Sequence, residues 1–186
     1  MTTFDLFMKR NKDIAVENGP MPSLPSALPH VKALIIGCAD MRVDPAHILG
    51  IEPGEAVVMR NIGGRITPRT LEQLGLLGRI AQVAEAFPGG GDALHVIILH
   101  HTDCGITRLA GDPDMLANYF EISHEELEAK AVTDPRASVA ADVAVLKAAS
   151  VLPGEWMVSG LVYNVATGLI DIVVPPAPIR TPRAIS

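Results

Sequence analysis

Aromatic residues are scarce in this chain, cysteines scarcer, and clustered positive charge is missing. Rings occupy 4% of the 186 positions, there are 2 cysteines, and no lysine or arginine run interrupts a formal net charge of −6. With so few rings the core must be built from Ala, Val, Leu and Ile within an apolar content of 48%, and interdigitated aliphatic layers suit an α/β fold. Without a concentrated cationic footprint, nucleic acid and anionic membrane are excluded as partners, which leaves a small molecule as the expected ligand. No segment approaches the roughly 18 uninterrupted apolar residues of a membrane span. Met1-Thr2-Thr3-Phe4-Asp5-Leu6 also lacks the charged head and apolar centre of a signal peptide. A cytoplasmic location is therefore expected. No Gly-x-Gly-x-x-Gly or Walker sequence follows a strand, which argues against a nucleotide-binding domain. A chain of this length buries roughly 70% of its unfolded surface, so a single domain needs no staple.

The chain divides into an N-terminal arm (1–30), a body (31–174) and a proline-rich tail (175–186). Residues 3–16 have helical spacing with a short apolar edge at Phe4, Phe7 and Met8. The stretch Asn18 to Pro25, followed by Pro29, is expected to sustain neither helix nor central strand. A helix detached in this way suits packing on a partner subunit or lying as a self-packed arm. In the body, Val31–Gly37 and Leu94–Leu99 are continuously apolar, as strands covered on both faces are. Between them Asp44-Pro45 caps a short helix closed by Gly50, Glu55–Met59 forms another strand, and a long helix runs from Arg69 to Phe87 before Pro88-Gly89. Two short helices are expected in 106–132, one capped by Asp112 and one by the Ser123/Glu126 capping box, forming a flap over or beside the site. A helix over Ala137–Ala149 precedes the hairpin Met157–Val162 and Leu169–Val174, and Pro175 to Pro178 should be extended and exposed. The expected fold is a single α/β domain with a central sheet of four parallel strands plus one antiparallel edge strand, helices on both faces.

The chemistry concentrates at two strand ends. His100-His101-Thr102-Asp103-Cys104-Gly105 follows the third strand and offers an imidazole and a thiolate to one cation. Cys38, the other cysteine, ends the first strand and is followed by Ala39-Asp40-Met41-Arg42. If these strands are parallel neighbours, Cys38, His101 and Cys104 meet at their C-terminal ends. A metal then explains the cysteines better than a disulfide in a reducing compartment. Three ligands with a vacant fourth position make a catalytic zinc site, and four closed ligands a structural one. Asp40 decides between the two, because Arg42 is close enough to hold it by a bidentate ion pair. Gly105 is expected to serve as the turn residue that frees the following helix, and His100 to be a strand-end side chain pointing away. Arg60-Asn61-Ile62-Gly63-Gly64-Arg65 ends the second strand, and its glycines would let backbone approach a ligand. Arg60, Arg65 and Arg69 could draw an anion to the crevice or form a solvated or subunit-facing cluster.

Together these residues resemble the β-class carbonic anhydrases. Cys-Ala-Asp-Met-Arg at 38–42 is similar to that family's Cys-x-Asp-x-Arg signature, 60–64 to its Arg-Asn-x-Gly-Gly loop, and His101 to Gly105 to its His-x-x-Cys-Gly segment. The resemblance implies Zn2+ on Cys38, His101 and Cys104. It makes Asp40 and Arg42 a catalytic dyad that gates the metal, with Asp40 able to become a ligand, or that accepts a hydrogen bond from its hydroxide. It also implies attack of zinc hydroxide on carbon dioxide to give bicarbonate, and a homodimer or higher oligomer with sites near the subunit interface. Asn61, Gly63 and Gly64 are expected to border the substrate. Ile62 to Arg65 is closer to a branch that includes hydrolases of carbonyl sulfide and carbon disulfide, so these are the alternative substrates. An alternative of another class is a non-catalytic zinc-stabilised assembly domain in which Asp40 permanently fills the fourth position.

Overall fold

Local chemistry sets most element boundaries in this computed structural model, which describes residues 1–27, 30–83 and 94–180. The elements in chain order are α1 (Thr3–Asn18), α2 (Leu24–Ala27), β1 (Ala33–Cys38), α3 (Pro45–Leu49), β2 (Ala56–Asn61), α4 (Pro68–Val83), β3 (His95–His101), α5 (Pro113–Phe120), α6 (Pro135–Ala148), β4 (Met157–Asn164) and β5 (Leu169–Pro178). Three helices start on an aspartate followed by proline. Asp44, Asp112 and Asp134 each accept a hydrogen bond from a first-turn amide, while the proline's missing N–H falls where no partner is needed. The Ser123/Glu126 capping box is present and opens a short 3-10 turn. No helix among the described residues is long and apolar enough to cross a membrane.

The sheet order is β2-β1-β3-β4-β5, the first four strands parallel and β5 antiparallel to β4. From β1 the chain steps outward to β2, then returns to lay β3 on β1's other side. The β1/β3 boundary is thus a topological switch point, where open α/β sheets bind ligands beyond their strand C-termini. Gly37 pairs with Leu99 and Cys38 with Asn61, so the ends of three strands face one crevice. Leu34, Ile36, Val96, Ile98 and Val158 carry one face of the sheet against Leu74 of α4 and Val139, Val143 and Leu146 of α6. Ile35 and Leu99, at alternate positions, are also buried. Their rigid β1–β3 pairing fixes where the site residues emerge.

Four expectations need correction. The linker does sustain one helical turn, α2, because the Ser26 and Ala27 amides both reach the Ser23 carbonyl. β3 runs through His101, so both histidines lie on a strand rather than in a loop. Pro175 to Pro178 are extended, and Pro175, Pro176 and Pro178 exposed, as expected, but they are not a tail separate from the body: β5 continues through them, Ala177 opposite Val158 and Pro178 opposite Met157. Prolines are compatible with that place because it is a sheet edge, where one side of the strand needs no N–H donor. Gly105 has ordinary backbone and open space around its α-carbon, so its turn does not require glycine. The expected end of the long helix, Ala84 to Phe87 with Pro88-Gly89, lies outside the described residues, as do Pro29 and the tail at 181–186.

Candidate metal centre

Cys38 is the last residue of β1 and His101 the last of β3; Cys104 begins the 3-10 turn Gly105–Leu109. All three are buried, and one ligand atom from each lies within 4.8 Å of the others. The two cysteines are free, their sulfurs 3.6 Å apart. That is far beyond a disulfide bond and close to the roughly 3.8 Å separating two sulfurs on a tetrahedral zinc with 2.3 Å bonds. His101 Nδ1 lies 2.9 Å from the Thr102 carbonyl, which can only accept, so Nδ1 carries the hydrogen and Nε2 presents its lone pair. Nε2 is buried and has no hydrogen-bond partner. A buried nitrogen lone pair left unpaired is costly, and a metal satisfies it. The donor set of two sulfurs and one imidazole nitrogen suits zinc, so the residues fit the ion.

The sulfurs are electrostatically unequal. A hydrogen bond from Cys104, opposed by burial and aided by the Asp40 and Gly63 amides, holds the Cys38 thiol well below its ordinary pKa. Cys104 is pushed up by the Cys38 thiolate and by burial. Cys38 is thus the first to ionise, and the N–H groups of Asp40 and Gly63 are already turned toward its charge.

Asp40 is on Arg42. Arg42 Nε donates to Oδ1 (3.0 Å) and Nη2 to Oδ2 (2.7 Å), and the Arg42 amide adds a third bond to Oδ1 (2.9 Å). This pairing lowers the Asp40 carboxyl far below the usual carboxylate range. Oδ2 stands 4.0 Å from His101 Nε2, beside the triad but outside the group of mutually close donor atoms. Arg42 also reaches Asp103 twice, from Nη1 to Oδ2 (2.8 Å) and from Nη2 to the main-chain oxygen (2.9 Å).

The loop after β2 does different work from that expected. Asn61 spends its side chain on the loop itself, donating to the Arg65 carbonyl (2.7 Å) and Thr70 Oγ1 and accepting from the Arg65 amide (2.7 Å). These bonds hold the loop's own backbone in place. At Gly64 (φ 68°) a β-carbon would lie 2.9 Å from the Gly37 carbonyl carbon and 3.0 Å from the Cys38 nitrogen. The loop can press against the end of β1 only because glycine is there. Gly63 (φ 77°) would similarly strike Ile106, and it lines a cleft of about 260 Å³ bordered also by His101, Cys104, Ile106 and Val132. Beside the sulfurs, Val43, Ile106, Leu116 and Phe120 form an apolar wall, so the segment expected as a flap packs alongside the centre.

Arg60 and Arg65 are not free to collect anions. Arg60 clamps the loop after β1 through the Cys38 carbonyl (2.9 Å), the Asp40 carbonyl (2.6 Å) and Asp44 (3.2 Å). Arg65 is fully buried against Asp142. His100 does turn away from the metal donors, into a buried contact with the Gly64 carbonyl (3.1 Å) and Asp142 (3.3 Å). Asp103 and Asp142 were not singled out from sequence. Each left a faint mark: an acid between two ligands, and a lone acid in the Ala/Val-rich stretch of α6.

Residues 33–170 match the sequence profile of the family described as carbonic anhydrase. Beta-carbonic anhydrase 1 of Mycobacterium tuberculosis is 31% identical over 181 residues, 94% of this chain and 100% of that protein. A carbon disulfide hydrolase from Acidianus is 28% identical over 158 residues, 72% of each chain. The crystal structure of carbonic anhydrase from Streptococcus mutans superposes with a TM-score of 0.68 at 29% identity, covering 93% of this chain and 98% of that one.

Proposed function

The chain belongs to the carbonic anhydrase family, in its β-class branch, and from that premise we propose that it reversibly hydrates carbon dioxide to bicarbonate, using Zn2+ held by Cys38, His101 and Cys104. The observation that carries this reading is the buried triad itself, with His101 Nε2 left without a protein partner. When bound, zinc supplies a Lewis acid that brings the pKa of water from 15.7 to about 7, less strongly beside two thiolates than beside three imidazoles. The remaining work belongs to the chain's own residues. The Asp40 and Gly63 amides stabilise the Cys38 thiolate, and the Thr102 carbonyl fixes the His101 tautomer. Arg42 keeps the Asp40 carboxylate off the donor atoms, where it can accept a hydrogen bond from the water that attacks. Ile106 and Val132, which line the cleft beside Cys104, offer an apolar wall suited to a small apolar substrate.

Stopped-flow hydration on the zinc-loaded full chain tests the reading: Cys104→Ser should lose bound zinc and activity together, and an active Cys104→Ser variant would rule it out. The second reading is hydrolysis of carbonyl sulfide or carbon disulfide, favoured by the similarity to the Acidianus hydrolase. Sulfide release, compared as kcat/KM with carbon dioxide hydration, separates the two. A non-catalytic assembly domain with Asp40 permanently ligated fits less well, because Arg42 holds both Asp40 carboxylate oxygens.

The oligomer proposed for this enzyme is a homodimer or higher assembly, in the cytoplasm, where two free cysteines stay reduced. α1 buries no residue within its own chain, and β2 is a sheet edge beside a groove of about 350 Å³ lined by Met59, Leu76, Leu77 and Ile80. A second copy's α1 is the occupant whose apolar edge matches that groove.

A further inference from the structure

Asp40 and Arg42 are two residues apart on one exposed loop, so the bonds between them would survive if the loop swung as a unit. A pairing that local cannot by itself fix where the carboxylate stands relative to the metal donors. Arg60 holds the main chain of this loop through the Cys38 and Asp40 carbonyls, but it does not touch the guanidinium that carries the carboxylate; that group needs its own outside reference, and Asp103 is built for it. It lies between the two ligands His101 and Cys104, and is 61 residues from Arg42 in sequence. Its backbone is left-handed (φ 52°), one of three non-glycine residues so placed among those described. That sparsely populated conformation persists only where surroundings enforce it. Here Arg42 receives both the Asp103 carboxylate and its main-chain oxygen. The guanidinium has hydrogens enough for every bond: Nε and one Nη2 hydrogen serve Asp40, and the second Nη2 hydrogen and Nη1 serve Asp103. The two acids therefore do not compete for donors. Arg108 braces the far oxygen of Asp103 at 3.3 Å.

We propose that Asp103 is a positioning residue of the gate: from within the ligand turn it anchors the Arg42 guanidinium, and so holds the Asp40 carboxylate away from the metal. The inference rests on the reading that Asp40 gates a bound metal. Its prediction is that loosening Asp103 closes the site without touching any ligand.

The test uses the full chain loaded with Co2+, whose visible absorption reports ligand type and number, together with hydration kinetics on the zinc form. Asp103→Gly accepts the positive φ and removes the carboxylate; Asp103→Asn keeps an oxygen for Nη1 and tolerates the same backbone. Asp103→Gly should move the cobalt spectrum toward that of Arg42→Ala at equal pH, and lower kcat roughly 10–100-fold, the usual range for a residue supporting a metal site, with KM little changed. Asp103→Asn should restore most of both signals. An Asp103→Gly protein with the wild-type spectrum and kcat overturns the proposal, as does an Asn variant no better than Gly. If Arg42→Ala itself leaves the cobalt spectrum unchanged, the gate reading falls and this inference falls with it. If the wild type takes up no cobalt or zinc, the metal reading has failed first, and its loss overturns the inference too.

Discussion

Asp142 Oδ2 lies 2.7 Å from Arg65 Nε, and neither side chain reaches solvent. The same oxygen accepts from the Ile66 amide (3.2 Å) and stands 3.3 Å from His100 Nε2. One carboxylate on α6 therefore ties the loop after β2 to the end of β3, the two segments that carry Gly63 and His101. Arg65 in turn reaches the Lys130 carbonyl (2.7 Å) and lies over the Phe120 ring at 4.8 Å. Removing one partner of a buried pair strands the other's charge, at a cost of roughly 3–5 kcal/mol. Asp142→Ala should lose about that much stability in urea denaturation, and should lower zinc occupancy although Asp142 touches no ligand. A loss below about 1 kcal/mol would mean that the pair contributes no more than an exposed one.

The same carboxylate makes stability depend on pH. Burial alone would raise the Asp142 pKa, but the His100 hydrogen bond and the Arg65 charge outweigh it and leave the group below its ordinary value. A carboxyl that ionises more readily when folded stabilises the fold above its unfolded pKa of about 3.9, and surrenders that contribution as pH falls toward the folded value. Denaturation midpoints of the zinc-free protein should thus drop between pH 5 and 3 by more in the wild type than in Asp142→Asn. Equal slopes would assign the acid sensitivity elsewhere. Using the zinc-free form separates this effect from acid release of the metal.

The cysteine–histidine cluster was legible because ligand chemistry tolerates few residue types, and two cysteines and a histidine at or just after two strand ends leave little choice. Helix starts were legible for a related reason: Asp-Pro pairs have one good use. What escaped is nonlocal pairing. Arg65 and Asp142 are 77 residues apart, and nothing within either segment tells a buried arginine from a solvated one. Asn61 was assigned to substrate on its loop, whereas its amide is consumed by the Arg65 backbone four residues on. Pro175 to Pro178 have the composition of a free tail, and only their register with β4 reveals an edge strand.

Gly64 offers a sharper test of how the loop seats against β1. A β-carbon there would lie inside contact distance of the Gly37 carbonyl carbon and the Cys38 nitrogen, which are rigid backbone in a paired strand. Left-handed backbone adds about 1–2 kcal/mol for an L-residue before any clash. Gly64→Ala should therefore cost at least about 2 kcal/mol and displace Cys38, lowering zinc retention. Gly105→Ala, adjacent to a ligand but with open space and ordinary φ, should stay within about 0.5 kcal/mol of wild type and keep its metal. Gly64→Ala with a zinc content and urea midpoint equal to those of Gly105→Ala would show instead that the loop is free to adjust.

Phe4 is 69% exposed on α1 and Leu76 65% exposed on α4, large apolar groups that a chain without a partner would present to water. Burying apolar area contributes about 25 cal/mol per Å², so two symmetric α1-on-groove contacts can supply several kcal/mol toward association, less the entropy of joining two chains. A charge placed on either side removes that gain without entering the folded core. Phe7→Glu and Leu76→Glu should each shift the full chain from dimer or larger toward monomer in light scattering, with far-ultraviolet circular dichroism unchanged. Combining them should add little, because they break the same contact from opposite sides. A wild type that is monomeric at micromolar concentration, or a dimer indifferent to both charges, would show that α1 and the α4 groove do not meet across copies.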